Sequence, residues 1–199
     1  MHKGLRLALL TAALTFSAAV TPAVAAPAPL KPLHFNDVSA MIEDAGDYSA
    51  EKGTFKLISS SPLHIRMSPP VMQSDLPRYV AQDVVRAALY GVYRTFIHTD
   101  AAAVIVTSVP AQITLNPYTV KLQIKPELEI SVTREQALKA VRVLVDADDL
   151  ADLVEPEQAG DIQLDNWRKD FEDLYSTADG KKALLEALET SGAKVSFKG

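Results

Sequence analysis

At 199 residues, 48 % of them hydrophobic, the chain is long enough to bury a sizeable core. Its 20 basic and 25 acidic residues leave a net charge of −5, which argues against nucleic acid as a partner. The absence of cysteine rules out disulfides and lipid attachment at a lipobox, so stability must come from core burial.

The N-terminus is tripartite. Lys3 and Arg6 form a basic start, Leu7 to Val20 an apolar stretch, and Ala23-Val24-Ala25 a small-residue cleavage site. This pattern predicts a secretory signal peptide over 1–25; the apolar stretch is short for a membrane span and is interrupted by Thr11, Thr15 and Ser17. Cleavage there leaves a periplasmic or secreted chain with no transmembrane segment, carrying 18 basic against 25 acidic residues, a charge of −7. Residues 26–50 read as a tether followed by a short helix. Pro27, Pro29 and Pro32 favour an extended, disordered segment, and Val38, Met41 and Ile42 take helical spacing after Asn36 or Asp37.

Residues 51–132 read as a core domain of sheet plus helix. Thr54 to Ile58 and Leu63 to Met67 flank Ser59-Ser60-Ser61-Pro62, a hairpin pattern. A long helix is expected over 75–97, capped by Ser74 or Asp75, with Pro77 in its first turn and Ala81, Val85, Ala88, Leu89, Val92 and Phe96 on its buried stripe. Gly91 within that stripe implies a close crossing by another backbone. Val104, Ile105, Val106, Thr107 and Val109 then predict a central strand covered on both faces. Tyr118 to Lys125 and Leu128 to Val132 alternate as half-wet strands and are expected to pair with each other across Pro126-Glu127.

A helical C-terminal region is expected over 133–199. Thr133 and Gln136 form a capping-box pattern, a short helix is expected around Asp149 to Val154, and a loop around Pro156 and Gly160. Trp167, Phe171, Leu174 and Tyr175, then Ala183, Leu184, Ala187 and Leu188, take helical spacing up to Gly192, and Lys194 to Lys198 alternates as a final strand. The fold class is therefore α+β: a mixed, mainly antiparallel sheet with a long helix on one face, followed by helices.

No nucleophile elbow, zinc-protease motif or Gly-rich phosphate loop is present, so no cofactor is expected. His34, His64 and His98 lack metal-ligand spacing. Asp146, Asp148, Asp149 and Asp152 resemble a calcium loop in composition only: Leu150 occupies a ligand position and no glycine follows it, so no metal is expected and helix capping is the simpler role. Two candidate binding surfaces remain. One is the polar side of the long helix, with Tyr79, Arg86, Tyr90, Tyr93 and Arg94, residue types that dominate binding hot spots and suit a peptide or anion. The other is the acidic segment 146–173, including Asp148, Asp149 and Asp152, which carries eleven acidic against two basic residues, whereas 51–142 carries eleven basic against seven acidic. Such a surface suits either the chain's own basic half or a cationic partner.

Two functional classes follow. The first is an exported, non-enzymatic binding protein, adaptor or inhibitor, whose partner is another protein or a peptide. The second is a hydrolase of unfamiliar type using His98 with Asp100, or C-terminal carboxylates, which requires those groups to converge in a concave site.

Overall fold

A computed structural model describes residues 29–199; the expected leader and residues 26–28 of the tether lie outside the described residues. The elements in chain order are α1 (Val38–Ala45), β1 (Phe55–Ser60), β2 (Leu63–Met67), β3 (Pro70–Met72), α2 (Pro77–His98), β4 (Ala103–Ser108), β5 (Ala111–Leu115), β6 (Tyr118–Leu122) and β7 (Glu127–Thr133). Then come α3 (Arg134–Arg142), a 3-10 turn (Leu150–Leu153), β8 (Val154–Ala159), β9 (Ile162–Trp167), α4 (Lys169–Ser176), α5 (Ala178–Ser191) and β10 (Lys194–Lys198). The fold is α+β, with mainly antiparallel sheets. No helix among the described residues is long and apolar enough to cross a membrane.

Five strands form the main sheet in the order β1-β2-β4-β7-β10, where only the β2–β4 pair is parallel. Ile65, Met67, Val104, Val106, Leu128, Ile130 and Val132 are buried at alternate positions, which places one sheet face beneath α2. Gly91 sits at this contact: an added Cβ would stand 2.9 Å from Val106 Cγ1 and 3.0 Å from Met67 Cγ. The close approach expected there is thus made by sheet side chains rather than by another backbone.

The outer sheet face differs from expectation. Ile105 and Thr107 are only half-buried, and Thr107 meets His64 Nε2 at 2.8 Å, so β4 is covered on one face and carries polar groups on the other. Along α2, every residue from Ala87 to Thr99 except Arg94 is buried, whereas Val85, in the less covered first half, is half-buried. Neither Ser74 nor Asp75 caps α2. Leu76 takes the N-cap position without a side-chain bond, and Asp75 Oδ2 instead accepts the Met72 amide at 2.7 Å.

Strand pairing after β4 also differs. β6 pairs antiparallel with β5, which lies parallel to β3, in a separate three-stranded sheet, whereas β7 lies between β4 and β10. Alternation identifies a strand but not its neighbour. The expected hairpin β1–β2, the helix α1 capped by Asp37, the reciprocal Thr133–Gln136 capping box and the terminal strand are all present. The segment 154–167, expected to contain a loop, is the antiparallel hairpin β8–β9 turned at Gly160, whose φ is 63°.

The end of the expected disordered tether is pinned. Gln163 Nε2 donates to the Lys31 carbonyl, the Leu33 amide to Asp165 Oδ2, and His98 Nδ1 to the Leu33 carbonyl, all within 2.8 Å. The Phe35 amide then donates to the His98 carbonyl. Proline prevents residues 29–33 from forming regular structure, but their remaining backbone groups still find partners on β9 and at the end of α2.

Phe96 is 1 % exposed and packs in the α2–sheet core beneath the Arg134 guanidinium. Phe96→Ala is expected to lower stability by about 3–5 kcal/mol. Val85→Ala, at a half-buried position, should cost clearly less. Urea denaturation of both variants checks the order, and equal losses would contradict the observed orientation of α2.

Candidate functional site

The polar stripe of α2 is covered from Tyr90 onward, whereas Arg86 is exposed. The β8–β9 hairpin, α4 and the loop after α1 come over it, and the residues that meet there are aromatic and charged. Arg86, Tyr90, Arg94 and His98 stand at intervals of four, so they share one side of the helix. Four rings close around them: Tyr48 at 5.2 Å from Tyr90, Trp167 at 6.4 Å from Tyr90 and 5.3 Å from Tyr175, and Phe171 at 5.0 Å from Trp167.

Two clefts lie along this stripe. One, of about 620 Å³, is lined by Arg86, Tyr90 and Arg94 from α2, by Tyr48, and by Trp167 and Tyr175 from the C-terminal region; Asp47, Asp83 and Glu172 stand at it too. The other, of about 520 Å³, is lined by His98, Phe35, Met41, Asp44 and Asp161. Asp47, Arg94 and Asn166 line both clefts, so the two meet there.

Arg94 is the waist between the clefts. Its guanidinium lies 3.8 Å over the Trp167 ring, donates to the Asp165 carbonyl at 2.7 Å and reaches His98 Nε2 at 3.1 Å, while its buried Nε has no hydrogen-bond partner. Burial pushes its pKa down, but a guanidinium stays charged at any ordinary pH. Arg86 lies 5.2 Å from the Tyr175 ring. Among the described residues, neither arginine is in an ion pair.

The tyrosines are held neutral. Burial raises the pKa of Tyr48, Tyr90 and Tyr175, so each keeps its hydroxyl proton as a donor. Tyr90 is 3 % exposed, and its hydroxyl lies beside the Asp47 carboxylate without a well-formed hydrogen bond, while its ring lines the first cleft. Burial likewise holds the Asp83 carboxyl above its ordinary range, against the pull of Arg86.

The five expected residues on α2 separate accordingly. Arg86, Tyr90 and Arg94 are brought together. Tyr93 belongs to the core instead, fully buried with its ring 5.0 Å from Phe171, and Tyr79 stands outside the clefts in the first turn, half-exposed beside Arg78. Both depart from the expected surface because ring type alone does not say which side of a helix a later segment will cover.

Asp148, Asp149 and Asp152 are engaged with their own backbone. Asp149 Oδ1 accepts the Ala151 amide at 2.9 Å, and Asp152 Oδ2 accepts the amides of Asp148 and Asp149, each at 2.8 Å. This is a capping box on the 3-10 turn. No cluster of three or more potential metal ligands occurs among the described residues. The acidic segment reaches the basic half through its carbonyls: Arg94 bonds the Asp165 carbonyl, and Arg142 the carbonyls of Ala147 and Asp148.

His98 and Asp100 are not brought together. Asp100 is solvent-exposed and meets His34 Nε2 at 3.1 Å, while His98 is 5 % exposed with Asp165 Oδ2 at 3.6 Å. Its Nδ1 donates to Leu33 and its Nε2 accepts from Arg94, which fixes a neutral tautomer with both nitrogens engaged. An imidazole so committed has no lone pair to take a substrate proton.

Asp47, Tyr48, Asp165 and Trp167 were not singled out for the site from the sequence. A two-residue Gly160-Asp161 connection before the alternating Ile162-Gln163-Leu164-Asp165 was the available signal for the hairpin that carries two of them. In comparisons with protein families, curated proteins and solved structures, nothing matches the chain.

Burial holds the pKa of His98 below its ordinary 6.5, against the opposing effect of the Leu33 carbonyl. The unfolded chain therefore binds this proton more readily than the folded one, and the contribution of neutral His98 to stability is present above pH about 6.5 and lost as pH falls below it. Melting temperature measured from pH 8 to pH 5 should fall, and His98→Gln should flatten that part of the profile. An unchanged slope in the variant would assign the loss to other groups.

Proposed function

We propose that the protein is exported to the periplasm or secreted, and acts there as a non-enzymatic binding protein, an adaptor or an inhibitor, whose partner is a peptide or a segment of another protein. The observation that carries this reading is the convergence of Arg86, Tyr90 and Arg94 with Tyr48, Trp167 and Tyr175 around one cleft, where, among the described residues, neither guanidinium is in an ion pair. Aromatic walls with a few convergent polar donors are what orient and hold a small ligand. The absence of familiar catalytic motifs and the commitment of both His98 nitrogens also favour binding over hydrolysis. Export rests on the basic start, apolar stretch and Ala23-Val24-Ala25 of the N-terminus, and the acidic net charge supports a partner other than nucleic acid.

Trp167 is the sole tryptophan and lines the cleft, so its emission reports occupancy directly. Titration with N-acetyl-leucine, a carboxylate with an apolar body, should give a saturable change in emission, and Arg86→Gln should weaken it about tenfold, equivalent to about 1.4 kcal/mol. A response that is linear, or identical in the variant, would overturn the assignment of the cleft. For export, N-terminal sequencing of the protein from the periplasmic fraction should start near Ala26; an intact Met1 in that fraction would contradict cleavage.

A further inference from the structure

The two clefts differ in charge, and their order along α2 gives the site a direction. From Arg86 to His98 is twelve residue steps of helix, about 18 Å at 1.5 Å per step. An extended peptide rises about 3.3 Å per residue, so about five residues match that length. At the Arg86 end stands a guanidinium that is in no ion pair among the described residues, with the Tyr90 hydroxyl one turn further along the same side of the helix and Arg94 at the junction of the two clefts. At the His98 end stand Asp44 and Asp161, both exposed and neither in an ion pair among the described residues, with Phe35 and Met41 as an apolar floor.

We infer that the groove binds a short extended peptide of about five residues, its C-terminal carboxylate at Arg86 and its basic N-terminal residue at Asp44 and Asp161. This rests on the cleft being the binding site and names what that site takes. A planar guanidinium presents paired donors to a carboxylate, and the Tyr90 hydroxyl, kept protonated, supplies a third donor. Asp47, Asp83 and Glu172 also stand at the first cleft, so a ligand of negative charge alone would meet repulsion there. A zwitterion with its opposite charge displaced along the groove satisfies both ends. Trp167 and Tyr48 flank the middle of the path, where an apolar side chain of the peptide has aromatic surface to cover.

The test uses the peptide Lys-Ala-Ala-Ala-Leu on the processed protein, followed through Trp167 emission. The free peptide should saturate, and its C-terminal amide should bind at least tenfold more weakly. Arg86→Gln should weaken the free peptide by the same factor while leaving the amide unchanged, and Arg86→Lys should restore only part of the loss. An acetylated peptide with glutamine in place of lysine should bind several-fold more weakly, a difference that Asp161→Asn should reduce. Equal affinity of acid and amide, or a peptide effect independent of Arg86, would overturn the inference. If N-acetyl-leucine saturates and the pentapeptide binds no more tightly, the cleft remains a binding site and the peptide reading falls. If neither ligand moves Trp167 emission, both fall.

Discussion

A guanidinium lodged between a helix and the hairpin laid over it sets most of what surrounds it. Arg94 stands in the half of α2 that is otherwise buried, so its charge must be solvated by protein. The Trp167 face supplies a quadrupole, the Asp165 carbonyl an acceptor, and His98 Nε2 a second acceptor. The last of these requires the imidazole to be neutral and to carry its proton on Nδ1. That proton then goes to the Leu33 carbonyl, and the Leu33 amide goes to Asp165 Oδ2. One buried charge thus ties together α2, β9 and a proline-rich strand of chain more than sixty residues away in sequence, through a closed series of hydrogen bonds. Removing any one member would leave a buried polar group without its partner, which costs more than the bond itself contributes.

The same helix explains why the sheet and the C-terminal region form one core. On its sheet side α2 presents Val84, Ala88, Val92 and Gly91, small or β-branched groups that let Val106 and Met67 approach closely. On its other side the helix presents rings and long cationic side chains. Tyrosine and arginine bury their bodies and keep a polar end, so this side can be covered by α4 and β9 and still line a wet cleft. Both sides of α2 are buried in its second half, yet only the sheet side is apolar in the ordinary sense. At its C-terminus Arg134 donates to the carbonyls of Phe96, Thr99 and Ala101, answering helix-end acceptors that would otherwise be unpaired.

These features divide into those a sequence can express and those it cannot. The Thr133–Gln136 capping box and the αL glycine that ends α5 are local, their donors and acceptors lying within a few residues, and they were legible; the caps Asp37 and Asp149 were legible to within one residue. The α2 stripe was legible for Leu89, Val92 and Phe96 because period reports a face; it failed for Ala81 and Val85, because period does not report how far the covering layer extends. The β6 strand was legible and its neighbour was not. Of the site, Arg86, Tyr90 and Arg94 could be chosen from residue type and spacing. Their setting depends on Tyr48, Asp165 and Trp167, which come from two distant segments, and the hairpin carrying two of them is rich in polar residues and contains Pro156, so its alternation is weak.

The charge asymmetry is the feature most easily misread from sequence alone. Eleven acidic residues in 146–173 invite the expectation of ion pairs to the basic half, yet the guanidiniums of Arg94 and Arg142 reach backbone carbonyls of that segment. Its carboxylates go elsewhere. Asp149 and Asp152 cap a turn, Asp170 and Asp173 pair with Arg168 and Lys169 within the segment, and Asp161 stays in water at the end of the second cleft. Carbonyl contacts hold the segment in place without neutralising it, so its field persists at the surface, where solvent screens it over about 10 Å at ordinary salt. The hairpin is therefore docked through Arg94 and a backbone dipole, and Asp161 on the same hairpin keeps its charge in water.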